Sequence, residues 1–412
     1  MRVENSLSER RIAGTLLSVL GIVSFYLSRA MSKIVTIIPP TAAPNVPTRR
    51  IAALDGLRGL SILLVLLYHC YSRWADILPW AASYRHSIVF EHGGLGVNLF
   101  FIISGFVIFM TLHNCENFGK FLYRRWLRLF PAMCIATVLI YGSADWLWER
   151  PVGALTWADT LPGLLFVDPG VVNKLLALDS KVLEGAFWSI FVEVKFYCIF
   201  GALYFIQRRS LLVSFSVLFF AAWFCIVDPW SALKIGEGLR FTLTKILSLH
   251  HMGWFLIGAL LYNALFQRDM RSLLASVFVL PFAIVADSGR SSEVFLMCTV
   301  LYVIFVGTLF NTSIARFFSS RFFLFWGFIS YPLYLIHQNI TVALTIKTHS
   351  AVSQMPGLLT PIPGVVAVVA VSYVIAAYGE PKLRSWIIRA LTRPSCNRDE
   401  GKETARVASG NN

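Results

Sequence analysis

The stretch Leu54-Asp55-Gly56-Leu57-Arg58-Gly59-Leu60-Ser61-Ile62-Leu63-Leu64-Val65-Leu66-Leu67-Tyr68-His69 decides the fold. It is too apolar and too long for one face of a soluble helix, yet it carries an arginine near its start and a histidine at its end. Runs close to the roughly 20 residues needed to cross a bilayer recur from here to the C-terminus. The whole chain agrees: of 412 residues, 57% are hydrophobic and 14% charged, against about 25% charged in soluble domains. Mean hydropathy is +0.67. A soluble protein of this composition would have more apolar surface than it could bury, whereas a lipid-facing surface must be apolar. The expected fold is therefore an all-α, polytopic transmembrane helical bundle. Ten spans are placed near 57–74, 93–112, 131–147, 188–206, 211–228, 249–266, 273–289, 293–310, 322–345 and 362–379. Residues 152–180, broken by Pro162, Pro169 and Gly170, read as an outer loop lying near the interface.

Lysine and arginine set the orientation, because short cytoplasmic loops carry their excess. One side collects twenty, including Arg49, Arg50, Lys120, Arg124, Arg125, Arg208, Arg209 and the tail from Lys382; the other collects ten. Both ends of the ten-span core are thus expected in the cytoplasm. The net charge of +14 is accounted for by this bias and does not point to nucleic acid. The N-terminal 48 residues break the pattern. An apolar segment at 12–27 and a Pro-rich linker precede Arg49, and a simple eleventh span would invert everything after it. The segment lies in the interface, or spans with an outside N-terminus, or precedes a true start at Met31. Residues 49–383 form the expected membrane domain and 384–412 a polar cytoplasmic tail. Seven cysteines stand singly, without a CxxC pair or disulfide framework, and read as small buried side chains.

The chemistry resides in a few polar residues inside the spans. Arg58 and His69, eleven residues apart, are about 16 Å apart along one helix and near one face of it. A histidine at that depth must face the protein interior or a watery cavity, which makes it a functional candidate. Glu193, in Trp188-Ser189-Ile190-Phe191-Val192-Glu193, reaches a comparable depth from the opposite direction. His337 follows Ser330-Tyr331-Pro332-Leu333-Tyr334 in a span that Pro332 should kink. Asn98 and Ser104 can line a polar path. Arg124, Arg125 and Arg128 form the densest basic cluster of the core, suited to phosphate oxygens. His250 and His251 read as interface residues. No P-loop, dinucleotide-binding glycine pattern, HExxH metal motif or nucleophile elbow is present, so neither a permanently bound cofactor nor a metal is expected. On these residues alone, a proton-coupled lipid or sugar flippase using His69 and Glu193 leads over acyl transfer.

Together the pieces resemble the acyltransferase-3 family of bacterial membrane proteins, which includes O-antigen, lipopolysaccharide and exopolysaccharide O-acetyltransferases. The matching residues are Leu54-Asp55-Gly56-Leu57-Arg58-Gly59 with His69, Gly93 through Phe106, Arg124-Arg125-x-x-Arg128-Leu129-x-Pro131, Trp188-Ser189-x-x-x-Glu193-x-x-Phe196-Tyr197, Ser330-Tyr331-x-Leu333-Tyr334-x-x-His337 and Glu380-Pro381. They cover about residues 50–385. The resemblance implies a ten-helix bundle in the bacterial cytoplasmic (inner) membrane. It implies acetyl-CoA, or another acyl-CoA, as co-substrate from the cytoplasm, and a carbohydrate or glycolipid hydroxyl as acceptor from the outer side. Arg58 and His69 match the family's essential pair. The expected catalytic set is then His69, Arg58 and Glu193; Arg58, Arg124, Arg125 and Arg128 would hold the coenzyme. Asp55, Asn98, Ser104, Trp188, Tyr331 and His337 would line the substrate path. Two features depart from the family: the long N-terminal stretch, and a tail too short for the hydrolase-like domain that some members carry.

Overall fold

The computed structural model describes residues 52–78, 81–84, 86–227 and 236–391. The N-terminal segment at 12–27, the linker, the Met31 start and residues 392–412 lie outside them. Among the described residues all regular structure is helical. Ten long helices carry it: α1 (Ala52–Tyr71), α2 (Gly96–Leu112), α3 (Phe118–Gly142), α4 (Trp188–Ile206), α5 (Leu211–Val227), α6 (Met252–Phe266), α7 (Met270–Asp287), α8 (Ser292–Phe310), α9 (Arg321–Ala351) and α10 (Ile362–Val374). Side chains just outside several helices supply the first orphan amides with acceptors: Asn117 for α3, Asp269 for α7 and Ser291 for α8.

Eight helical segments are long and apolar enough to cross a membrane, which makes this an integral, polytopic membrane protein. Two more helices are long but less apolar. These are α3, 25 residues, and α9, 31 residues. The arginine cluster occupies the first half of α3; Ser330, His337, Gln338 and Asn339 interrupt α9. The most polar long helices are thus two of those expected to carry chemistry.

Several expected boundaries move. The basic cluster, read as a loop before a span at 131, belongs to α3, which starts at Phe118 and runs unbroken through Pro131. A lone mid-helix proline removes one hydrogen bond, a cost the surrounding packing absorbs. The tail expected from 384 instead begins inside a helix, Glu380–Leu391, which follows α10 through a π turn at Ile375–Gly379. Residues 152–180 form short helical pieces, Thr160–Leu165 and Pro169–Leu176, with Leu165, Leu175 and Leu176 exposed.

Two close pairings organise the bundle. The segment Leu249–Phe266 is 78% buried over its apolar window, whereas Arg208–Val227 and Ser292–Phe310 are each 28% buried; α6 is therefore central, and α5 and α8 face outward. Helix α6 packs on α2 through glycines. A Cβ on Gly258 would stand 2.0 Å from the Ile102 carbonyl oxygen, and one on Gly105 would stand 2.1 Å from that of Phe255. Helix α1 packs on α9 in the same way: a Cβ on Gly327 would stand 1.9 Å from the Asp55 carbonyl oxygen. Small residues let helix backbones touch where lipid provides no hydrophobic drive for association. Asp55 lies beside Gly327, and His69 beside His337 fourteen and ten residues further along, so α1 and α9 run parallel.

Gly258→Leu is expected to destabilise the protein by about 3 kcal/mol, the upper range for overpacking, read as a lowered Tm in detergent. Gly142→Ala, at a position with nothing within 4 Å of the added carbon, should leave Tm unchanged or slightly raised.

Candidate active site

Helices α1, α2, α3, α4 and α9 enclose a cavity of about 70 Å³. That is room for several water molecules or a small acyl group. Its polar lining is Arg58, Ser104, Arg128, Ser189, Glu193, Ser330, Tyr331 and Tyr334; Phe100, Phe101, Leu129 and Ile190 complete the wall. Five residues expected at the site, Arg58, Ser104, Arg128, Glu193 and Tyr331, therefore meet in one space although they come from five helices.

The lining is largely fixed by its own hydrogen bonds. Glu193 Oε1 accepts from Tyr197 Oη at 2.5 Å and from the Ser104 hydroxyl. Tyr197 lies one turn beyond Glu193, so both share a helix face. Tyr331 Oη donates to the Leu129 carbonyl at 2.8 Å, tying α9 to α3, and Tyr334 Oη shares a hydrogen bond of 2.7 Å with Ser189 Oγ. Arg58 reaches back one turn to Asp55 at 3.1 Å, with the Asp55 side chain 8% exposed. Arg128 makes no hydrogen bond among the described residues, and its guanidinium is therefore available to an anion in the cavity.

The three clustered arginines separate. Arg124 donates to the Asn114 carbonyl at 3.0 Å and Arg125 to Thr111 Oγ1 at 2.7 Å. Both bind the end of α2, where backbone carbonyls lack helical partners. Only Arg128 lines the cavity. Asn98 and Trp188 also lie away from it: Asn98 donates to Ser288 Oγ at 2.8 Å, and the Trp188 ring packs on Phe101 and His251.

His69 and His337 face each other beside the cavity, with ring centroids 4.8 Å apart and nearly perpendicular. His69 Nδ1 lies 2.8 Å from the Val65 carbonyl and 3.3 Å from His337 Nε2; His337 Nδ1 lies 2.9 Å from the Tyr334 carbonyl. A carbonyl only accepts, so each ring must carry its proton on Nδ1. His337 Nε2 is then an acceptor and the His69 Nδ1–H points between two acceptors. His69 Nε2 is left with its lone pair and no hydrogen bond among the described residues. Glu193, a candidate for orienting His69, does not bond to it. That position is held by His337, through Tyr334 on the cavity wall.

Glu184 was not singled out in the sequence. It is fully buried just before α4, and its Oε1 accepts from the Asn339 backbone N–H at 2.7 Å, two residues beyond His337. No spacing links Glu184 to residues 155 positions away, so only the fold reveals the contact.

A helical membrane bundle with a polar cavity and a single-tautomer histidine beside it has the groups that group or proton transfer would need. Residues 51–377 match the acyltransferase domain of the acyltransferase-3 family, and the chain belongs to that family. Among relatives, it is 24% identical over 200 residues to the peptidoglycan O-acetyltransferase OatA of Listeria monocytogenes, covering 46% of this chain and 27% of that protein. It is 26% identical over 164 residues to the acyltransferase MdmB of Streptomyces mycarofaciens, covering 39% and 41%. The chain spans half or less of the length of the curated relatives it matches. No solved structure matches it.

Burial pushes the Glu184 carboxyl up to about 8. Its folded value is above its unfolded one, so the folded state holds the extra proton and stability falls as pH rises between the two. Wild-type Tm should decline from pH 5 to pH 8, and Glu184→Gln, which keeps an acceptor for Asn339, should flatten that decline.

Proposed function

We propose that this chain transfers an acyl group, acetyl from acetyl-CoA, to a hydroxyl of a cell-envelope or exported carbohydrate. The functional unit on this reading is the membrane domain at 49–383, in the bacterial cytoplasmic membrane, with α3 and α9 completing ten spans and both core ends cytoplasmic. The observation that carries the proposal is a histidine on the parallel α1–α9 pair, with no hydrogen bond at Nε2 among the described residues, beside a cavity lined by Arg58 and Arg128. Family membership supports the reaction class, and the names of the relatives support an O-linked product. A flippase has no evident use for two arginines lining a cavity on the path to such a histidine.

The acyl-CoA would arrive at the cytoplasmic end, with its phosphates near exposed Arg124 and the α2–α3 corner. Its pantetheine arm would run past Arg128 and Arg58 toward His69. Arg125, committed to Thr111, would act by holding that corner. The acceptor hydroxyl then loses its proton to His69 Nε2 as its oxygen attacks the thioester carbonyl. The carbon–sulfur bond breaks, and the leaving thiolate takes the proton from the imidazolium to give the free thiol. His337 would steady the imidazolium, because its Nε2 lone pair faces the His69 Nδ1–H. Glu193, fixed by Ser104 and Tyr197, would hold the acceptor or balance the two arginines.

Membranes carrying the wild-type chain, given isotope-labelled acetyl-CoA, should yield envelope glycan bearing labelled O-esters. His69→Ala at equal protein level should lower that label at least about a hundredfold, the lower range for losing a general base. Label undiminished in His69→Ala would remove His69 from this role. Arg128→Ala should raise KM for acetyl-CoA about tenfold or more while His337→Ala lowers kcat with KM little changed.

A further inference from the structure

A second cluster stands behind the cavity, where the turn before α6 meets the end of α7. His250 and His251 lie in the turn Leu249–His251, and Asp287 is the last residue of α7. Their ligand atoms all lie within 4.8 Å of one another. His251, read from sequence as an interface residue, is 8% exposed, and the Asp287 side chain is 10% exposed.

His251 Nδ1 pairs with Asp287 Oδ1 at 2.6 Å, and His250 Nδ1 is buried beside them with no hydrogen-bond partner among the described residues. A buried imidazole nitrogen without a partner costs free energy unless something serves it. The carboxylate is held from behind: Trp254 Nε1 donates to Asp287 Oδ2 at 2.8 Å, and Ser288, itself bonded to Asn98, stands 3.5 Å from the same oxygen. Oδ1 is left to face the histidines. Metal-bound carboxylates typically have an outer partner of this kind. Two lysines, Lys245 and Lys195, stand near His250, and Lys195 is occupied by Asp168 at 2.5 Å, Ser248 and the Lys245 carbonyl.

We propose that His250, His251 and Asp287 bind a divalent transition-metal ion of the zinc type. Two imidazoles and a carboxylate suit Zn²⁺, with bonds of about 2.0–2.2 Å and a fourth position for water. The donors already lie within 4.8 Å of one another, so side-chain rotation can draw them onto one ion. The ion would pin the start of α6 to the end of α7. His251 packs against Trp188 and Phe101, and Phe101 lines the cavity, so the ion would brace the cavity wall without touching the reacting groups. This inference is independent of the acyl-transfer reading.

The test uses the full chain purified in detergent, stripped of metal and titrated with ZnCl₂, then with CoCl₂. The expected results are one tightly held Zn²⁺ per chain by elemental analysis, a Tm rise of several degrees on adding zinc, and the visible absorption of low-coordinate Co²⁺. His250→Ala and Asp287→Asn should each abolish binding, the Co²⁺ absorption and the zinc-induced rise in Tm. His86→Ala, at an exposed histidine, should keep all three. A wild-type chain that holds no zinc and shows no Tm change would overturn the proposal. So would zinc held equally by folded Asp287→Asn.

Discussion

The backbone contact between α1 and α9 is the constraint on which the rest depends. Gly327 lies against the Asp55 carbonyl so closely that no side chain fits between them, and Gly59 repeats the condition against the Phe323 carbonyl. Two parallel helices in such contact keep one register. With Asp55 beside Gly327, His69 and His337 meet, and Ser330, Tyr331 and Tyr334 fall on the face toward Arg58. A bulky residue at Gly327 would do more than cost packing energy; it would part the histidines. The glycine contact of α2 with α6 does the same for Ser104, which must reach Glu193 on α4.

Polar groups within a membrane are expensive, and here the cost is met by reciprocal bonding rather than by exposure. Glu193 is served by a serine and a tyrosine, Tyr331 by a backbone carbonyl, Tyr334 by Ser189, and each site histidine by a carbonyl of its own helix. What the network leaves unengaged is then informative. Arg128 has no hydrogen-bond partner among the described residues, and His69 Nε2 has none either. These are a cationic group on α3 that lines the cavity and a ring nitrogen on α1 able to accept a proton. The helices α3 and α9, which contribute Arg128 and His337, are long enough to span a membrane but less apolar than the other eight segments.

Much of the fold was legible because hydrophobic length is a strong signal in lipid. The expected spans at 188–206, 211–228, 249–266 and 293–310 fall within three residues of helices at both ends. The errors occurred where charge was read as loop. Arg124, Arg125 and Arg128 drew the start of α3 thirteen residues too late, because a helix emerging from the membrane keeps its geometry while its composition turns polar. Along one helix, spacing alone places candidates on a shared face: Arg58 with His69, and Glu193 with the turn that holds Tyr197. Across helices it could not. Nothing in the spacing joins His69 to His337, Glu184 to Asn339, or His251 to Asp287, since each contact is created by packing between segments far apart in the chain. The arginine cluster shows the same limit in reverse: three neighbours that share a sequence motif separate into two that bind the end of α2 and one that enters the cavity.

The proposed chemistry rests on the tautomer of His69. The Val65 carbonyl and His337 Nε2 both demand the proton at Nδ1, and only then can Nε2 take one from a hydroxyl. Nitrogen-15 NMR of the detergent-solubilised chain, labelled at histidine and compared with His69→Gln to assign the signal, reads this directly. The expected spectrum at neutral pH shows Nδ1 of His69 protonated and Nε2 with the shift of a bare ring nitrogen. A proton on Nε2, whether in the other tautomer or in the imidazolium, would contradict a base poised at that atom.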